Sequence, residues 1–453
     1  MNKISMQRIF NLFIVWVLMV TSAFAQESED TLKISLQDAQ EFAVEHNTEV
    51  KNAQLEVKVA DKKVWETTAQ GLPQVSASGS YNNNLSLATQ LLPAVIFGGP
   101  EGEYVEVQFG TQHNFTGTVS VNQLVFSGPY IVGLQAAKVY KSLSKQQSKQ
   151  TRLDVKANVA NTYHLILLSE ENKKILKKNL ANLEKTLDDS KKMFENGMIE
   201  ETEVDQVQIS VTSLENSIKS VQRQLESFYN LLKIQLGIPL DRPVQLKQSL
   251  ESVVSNTNLD KTVSEDFSVQ NTIGYQLADT QVKLEELDLK RQKANFLPNL
   301  SAFYNFNENA MRNEFNFFDF DEEWYQSSIL GFQLNIPIFS SGQRYSKVKQ
   351  AQLQLEKAKN NRELAKKNLK NGYIQARNNY MNAYETYISD QENKELAKKV
   401  LDRTNKKYKE GMVTSMELTQ ANDKYLETQS NYINSLVQLL NAKVQLLKIL
   451  NAL

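Results

Sequence analysis

His46, His113 and His164 are the only imidazoles in the chain. They fall on a predicted helix, a predicted strand and a second predicted helix, with no metal-ligand spacing between them. There are no cysteines, which excludes a disulfide framework and a thiolate metal site and sits easily with an exported protein. No phosphate-cradling glycine loop and no nucleophile elbow appears. Gly98-Gly99-Pro100 reads as a loop turn. The acidic run Asp319-Phe320-Asp321-Glu322-Glu323 has the chemistry to hold cations, yet a solvated external loop accounts for it more simply. These residues make no catalytic constellation. The expectation is a chain that is not an enzyme and takes no cofactor and no metal.

The pattern that stands out belongs to recognition. The stretch from Asp188 to Leu232 recurs from Asp402, with Gly197 and Gly411 lying 214 residues apart. At that spacing Met198 meets Met412, Ile199 meets Val413, Phe194 meets Tyr408 and Glu203 meets Glu417. After each glycine the same three-four spacing continues. It runs Val204, Val207, Val211, Leu214, Ile218, Val221, Leu225, Phe228, Leu232 in the first copy, and Leu418, Ala421, Tyr425, Thr428, Tyr432, Ser435, Leu439, Ala442, Leu446 in the second. That is a heptad seam. Each half of the chain therefore carries a helical hairpin with a glycine at its tip. A glycine there can take the left-handed conformation that ends a helix. A larger residue in that conformation costs about 1–2 kcal/mol.

The elements that position these tips are long. Only 8 prolines and 16 glycines occur in 453 residues, as long helices require. Residues 129–195 and 343–409 each predict a helix of about 67 residues, roughly 100 Å at 1.5 Å per residue. In the second of these, Tyr373, Tyr380, Tyr387, Leu401 and Tyr408 share a heptad position, with Lys394 as the exception. Further helices are predicted over 35–70, with Ser35 as N-cap, and over 264–295. Between helices the period changes to two. Val75, Ala77, Gly79 and Tyr81 alternate with small polar residues. So do Phe115, Val119 and Val121, then Leu300, Ala302, Tyr304 and Phe306, and finally Leu330, Phe332, Leu334, Ile336 and Ile338. These predict four strands with one apolar face. A loop of roughly 25 residues separates the first two. Residues 240–262 are a polar segment whose structure the pattern leaves open, read as a linker or equatorial segment.

The N-terminus reads as an export signal. Lys3 and Arg8 precede an apolar run, and Ala23-Phe24-Ala25 is a small-x-small cleavage site, so residues 1–25 are expected to be removed. No other segment reaches the roughly 18 apolar residues of a membrane-spanning helix. Net charge is −1, and no nucleic-acid partner is expected. The domain reading is a signal over 1–25, a first repeat over 26–240, a linker over 241–262 and a second repeat over 263–453.

With the two tips and their return helices, and with Asn335-Ile336-Pro337-Ile338-Phe339-Ser340 echoing Asn122 to Ser127, the chain resembles the TolC-like outer-membrane channels of tripartite efflux pumps and type I secretion systems. The resemblance spans about residues 36–450. It implies a mainly α fold with a membrane β-barrel part. The unit of helix, β-hairpin, long helix and helix is duplicated, and a homotrimer forms a twelve-stranded barrel continuous with a periplasmic helical tube. It implies an outer-membrane location in a Gram-negative bacterium, contact with outer-membrane lipid, and a periplasmic adaptor and an inner-membrane transporter as partners. The adaptor would dock at Gly197, Met198, Ile199, Glu203, Gly411, Met412, Val413 and Glu417.

Physical reasoning points the same way. Four strands with open edges cannot sit in lipid, so copies must share a barrel. Phe115, Val119, Val121, Leu300, Tyr304, Phe332 and Leu334 are its expected lipid-facing residues. Tyr81, Phe115, Phe126, Trp324, Tyr325 and Phe339 are the expected aromatic girdles, with core packing as the alternative. Asp188, Asp189, Asp402 and Tyr408 are candidates for a periplasmic gate, against the simpler reading of a solvated helix face. A soluble periplasmic coiled-coil structural or adaptor protein would also explain the helices. It leaves the alternating strands without a purpose.

Overall fold

The computed structural model describes residues 31–255, 267–319 and 321–453. The export signal read over 1–25, the end of the 241–262 linker, the start of the helix predicted over 264–295 and Phe320 of the acidic run lie outside the described residues.

A short strand, β1 (Leu32–Ile34), leads into α1 (Leu36–His46). Ser35 Oγ accepts from the Asp38 N–H at 3.2 Å, and the Asp38 carboxylate accepts from the Ser35 N–H at 3.2 Å. This reciprocal pair satisfies two otherwise orphaned donors. The helix predicted over 35–70 is in fact two, broken at Asn47. The Asn47 Oδ1 accepts from the N–H groups of Glu49 and Val50 and starts α2 (Thr48–Ala69), while its Nδ2 donates to Gln235 O at 2.8 Å. Asparagine competes for backbone bonds in this way, and apolar periodicity does not register it.

The strand β2 (Gln74–Asn83) follows. The loop predicted after it contains its own antiparallel hairpin, β3 (Ala88–Pro93) with β4 (Tyr104–Phe109). Then come β5 (His113–Ser127), the 68-residue α3 (Gly128–Glu195) and the return helix α4 (Glu201–Leu236). The polar segment from 240 takes on structure in its described part, up to residue 255. It supplies β6 (Val244–Leu246), parallel to β1, and α5 (Leu250–Ser255). The second half repeats the order with α6 (Ile273–Ala294), β7 (Asn299–Arg312), β8 (Tyr325–Asn335), the 67-residue α7 (Gln343–Lys409) and α8 (Ser415–Ile449). The strand predicted over 330–338 begins earlier and stops at Asn335. Pro337 has no N–H for a ladder, and Arg344 instead donates to Pro337 O at 2.9 Å and to Ser340 Oγ at 3.0 Å, bracing a turn.

Two compact units are present, and each draws on both halves of the chain. One comprises, among the described residues, 31–52, 150–255, 267–268 and 370–453. Its apolar interior follows the heptad seams. Leu176, Leu183 and Leu187 of α3 meet Val207, Val211 and Leu214 of α4. Tyr380, Ala383 and Tyr387 of α7 meet Leu436, Leu439 and Leu440 of α8. Burying one such leucine contributes about 1.5–3 kcal/mol. Lys394, which interrupts the α7 stripe, places its ammonium 4.0 Å from the centre of the Tyr432 ring, so the cation is met by an aromatic face.

The other unit, residues 53–149, 269–319 and 321–369, contains a four-stranded antiparallel sheet in the order β2-β5-β7-β8. Val75 opposes Val121, and Val121 opposes Tyr304, which opposes Leu330. The outer sides of β2 and β8 have no strand beside them among the described residues.

Candidate functional site

The two hairpin tips are built alike. Gly197 has φ +71° and Gly411 has φ +70°, with open space where a Cβ would stand. Each glycine N–H bonds to the carbonyl three residues back, Phe194 and Tyr408. Each following methionine N–H bonds to the carbonyl five residues back, Met193 and Lys407. This double closure is the left-handed helix stop, so glycine is required by backbone conformation and not by crowding. The methionines that follow have no structural duty of that kind. Met198 is 71% exposed and Met412 61% exposed, with Ile199 and Val413 half-buried beside them. Exposed thioethers at a turn offer a soft, adaptable apolar contact.

The acids behave differently from one another. The Glu203 carboxylate accepts from the Ser415 N–H at 3.2 Å, so it caps the start of α8 in the other hairpin. Anions are favoured at that end of a helix. Glu417 is exposed, and its own N–H is held by the Thr414 hydroxyl at 3.3 Å. Of the gate candidates, Tyr408 is 1% exposed, with its hydroxyl 2.8 Å from Ser190 Oγ. Burial pushes its phenol pKa up. Asp189 pairs with Lys409 at 3.4 Å, Asp188 pairs within its own helix with Lys192 at 2.6 Å, and Asp402 is exposed. The hairpins are thus joined by Ser190–Tyr408, Asp189–Lys409 and Glu203–Ser415. None of these pairs is visible as a sequence spacing. The one signal that pointed to them was the repeat itself.

In the sheet, directly paired residues point to the same side. Register puts Phe115, Val119, Val121, Leu300, Tyr304, Phe332 and Leu334 together on one face, with Ala302 opposite Phe332. The other face is mainly polar, with Phe303 and Ile329 as apolar members. Thr116 donates to Asn309 Oδ1 at 2.9 Å and Thr118 donates to Asn307 Oδ1 at 2.8 Å. On the apolar side Glu308 opposes Gly117 and accepts from Gln326 at 2.9 Å, so the apolar band is bounded there. Beyond it Phe115 packs on Phe317 and Trp324, with centroids at 6.0 and 5.7 Å, and Tyr81 packs on Phe315 and Phe317 at 5.6 and 5.8 Å. Tyr325, expected in the same belt, pairs with Asn309 and points to the polar face. Phe339 lies past the end of β8.

The histidines are spread apart. His46 Nδ1–H donates to Phe42 O at 3.0 Å, and His113 shares a hydrogen bond with the Tyr81 hydroxyl at 2.9 Å. Buried His164 is drawn down to about 4 by loss of solvation, with the Lys443 charge adding to it. Among the described residues no three His, Asp or Glu side chains converge as a metal site. Among the same residues no helix is long and apolar enough to cross a membrane.

A family model for "outer membrane efflux protein" matches residues 41–237 and 276–452, one segment in each half of the chain. Comparison with curated proteins by sequence finds no match. Solved structures do match. CusC is 17% identical, with TM-score 0.72 and 93% of each chain covered. VceC, from Vibrio cholerae, is 16% identical, with TM-score 0.70, 92% of this chain and 95% of that one. CmeC, an outer membrane channel of Campylobacter jejuni, is 16% identical, with TM-score 0.70, 92% of this chain and 85% of that one. At such identity the likeness speaks for the fold.

Proposed function

From the premise that this chain belongs to the outer membrane efflux protein family, we propose that it is the exit duct of a tripartite efflux pump or type I secretion system. Substrate passes to it from an inner-membrane transporter through a periplasmic adaptor and leaves the cell through the outer membrane. The observation that carries this reading is the sheet. It has one apolar face, one face mainly of Thr, Ser and Asn, and two bare edges. In lipid a bare edge leaves backbone groups unsatisfied at several kcal/mol each. Head-to-tail addition of copies, β8 of one beside β2 of the next, removes every edge, and three copies of this four-stranded sheet give twelve strands. The apolar face then meets lipid and the polar face lines water. A soluble coiled-coil protein has no use for such a face.

Light scattering of detergent-purified protein is expected to return the mass of a trimer, from material extracted out of the outer membrane and absent from the periplasmic fraction. A folded monomer, or a periplasmic protein, overturns the reading.

In this reading the tips, Gly197, Met198, Ile199 and Glu203 with Gly411, Met412, Val413 and Glu417, receive the adaptor. Asp188, Asp189 and Asp402 narrow the duct beside them, with Tyr408 as the buried link that holds the two hairpins together at the gate. Asp402 carries the clearest test because it is exposed. Asp402→Asn raises single-channel conductance or weakens cation selectivity in planar bilayers, and an unaltered channel removes Asp402 from the gate.

A further inference from the structure

On the polar side of the sheet, none of the four strands carries a charged residue. Hydroxyls and amides make up most of it. Three apolar side chains break the pattern in a slanted line. Leu124 on β5 opposes Ser301, Phe303 on β7 opposes Gly331, and Ile329 on β8 opposes Asn305. Each is one diagonal step, about 7–8 Å, from the next. Tyr325 and Met311 stand apart, further toward the end of the sheet away from the helices. Phe303 is half-buried and Ile329 is 56% exposed. A Cβ at Gly331 would stand 2.6 Å from Cζ of Phe303. The ring therefore reaches across to β8 and lies along the wall, over a residue that leaves room for it.

The line begins at a groove. At the helix end of the sheet α2, α3 and α6 border a groove of about 980 Å³, with Val59, Tyr130, Ala137, Tyr140 and Leu284 in its apolar lining. Leu124 and Ser127 of the sheet line it too. Ser127 opposes Asn299, so both belong to the polar face, and groove and line open on the same side. The groove's two cations are already paired, Arg291 with Asp288 at 2.6 Å and Lys63 with Glu66 at 2.8 Å. Gly133 also lines it, as the only glycine of α3 beyond the first residue. Nothing stands within 4 Å of where its Cβ would be. Crowding does not ask for glycine there, and within a helix it costs about 1 kcal/mol against alanine. Its effect is to leave the groove wide. Resting on the reading that the polar face lines the duct, we propose that groove and line form one track, which binds passing amphipathic organic molecules by an aromatic or apolar ring and asks for no particular charge. The occupant follows from the place. Inside a closed barrel only water and the solute in transit reach this face. A groove of this size suits a molecule of a few rings. Along the line the ring of the solute meets Phe303 and Ile329, and its polar edge meets the surrounding Ser and Asn side chains.

The test places the full-length channel in planar bilayers and adds one of two neutral probes, phenyl β-D-glucoside or methyl β-D-glucoside, which differ only at the apolar end. Noise in the open-channel current reports binding. The phenyl probe is expected to bind about tenfold more tightly, the factor that about 1.4 kcal/mol of ring contact gives. F303S/I329S should bring the two probes level. G133L fills the groove while favouring the helix, and should weaken the phenyl probe alone. L330A, on the lipid side of the same strand, should keep the full preference. Equal binding of the two probes by the wild type overturns the track, as does a preference that survives F303S/I329S. So does a preference lost in L330A, which would place the probe in the lipid. If F303S/I329S does not assemble, G133L decides, and a phenyl probe held by G133L as tightly as by the wild type overturns the track. Protein that forms no conducting channel overturns the assembly reading first and the track with it.

Discussion

Replacing both Met198 and Met412 with Asp is expected to reduce transport to background while trimer yield and outer-membrane insertion stay at the wild-type level. Neither side chain packs into the hairpins, since both are largely exposed. The turns themselves are held by main-chain bonds from Gly197, Met198, Gly411 and Met412 that any residue with a backbone N–H, Asp included, can supply at the methionine positions. The substitutions therefore leave the fold alone. Their effect falls on whatever covers the tips, where an unpaired carboxylate driven into an apolar contact costs several kcal/mol. The insult is repeated at both tips of every copy, which places the loss well beyond a partial defect. The double Met→Leu variant keeps the apolar contact and should transport normally. Transport at the wild-type rate by the double Asp variant, with the adaptor still bound, would end the assignment of these turns to docking.

The second large effect belongs to the sheet. Phe332→Arg is expected to destabilise the inserted barrel by about 2–4 kcal/mol, the cost of a charge facing lipid near the bilayer centre. Gln333→Arg, one residue along the same strand, should cost under about 1 kcal/mol because it turns toward water. Phe332 opposes Ala302 on the apolar side, and Gln333 opposes Ser301 on the polar one. Unfolding of each variant from detergent or vesicles, followed by denaturant titration, gives the comparison directly. Equal losses at the two positions would mean that the faces have been assigned wrongly.

What could be read from residues alone follows the range of the interaction. The α3 and α7 ends lie within a residue of their predicted bounds, because length, missing prolines and a terminal glycine are local signals. The heptad seam through Val207, Val211 and Leu214 is buried as the spacing required. Errors collect where a polar side chain or a distant strand decides. Asn47 breaks the helix at the stripe position between Ala43 and Val50, the one that is not apolar, and the bond to Gln235 O that holds it there spans 188 positions. β6 is a three-residue strand whose partner, β1, is more than two hundred residues away. Too short to alternate visibly, it left no trace in the pattern. The β3–β4 hairpin went unread because it packs no apolar face inward and so shows no clean period. At the tips, the repeat identified which residues matter, but only the fold showed that Glu203 reaches across to the other hairpin while Glu417 does not.

The bare outer sides of β2 and β8 bear on how the protein comes to exist at all. A newly made copy carries two templates for strand addition and an apolar face beside them, and in water that combination favours indiscriminate pairing. No lone copy can escape by inserting, since the membrane rejects the same edges that water exposes. Insertion and assembly must then be one step, and the yield of channel should fall steeply with copy number instead of in proportion to it. Stability, likewise, becomes a property of the concentration of copies and has no fixed value for a single chain. An escort that covers β2 or β8 during transit would raise the yield of channel without touching the finished pore.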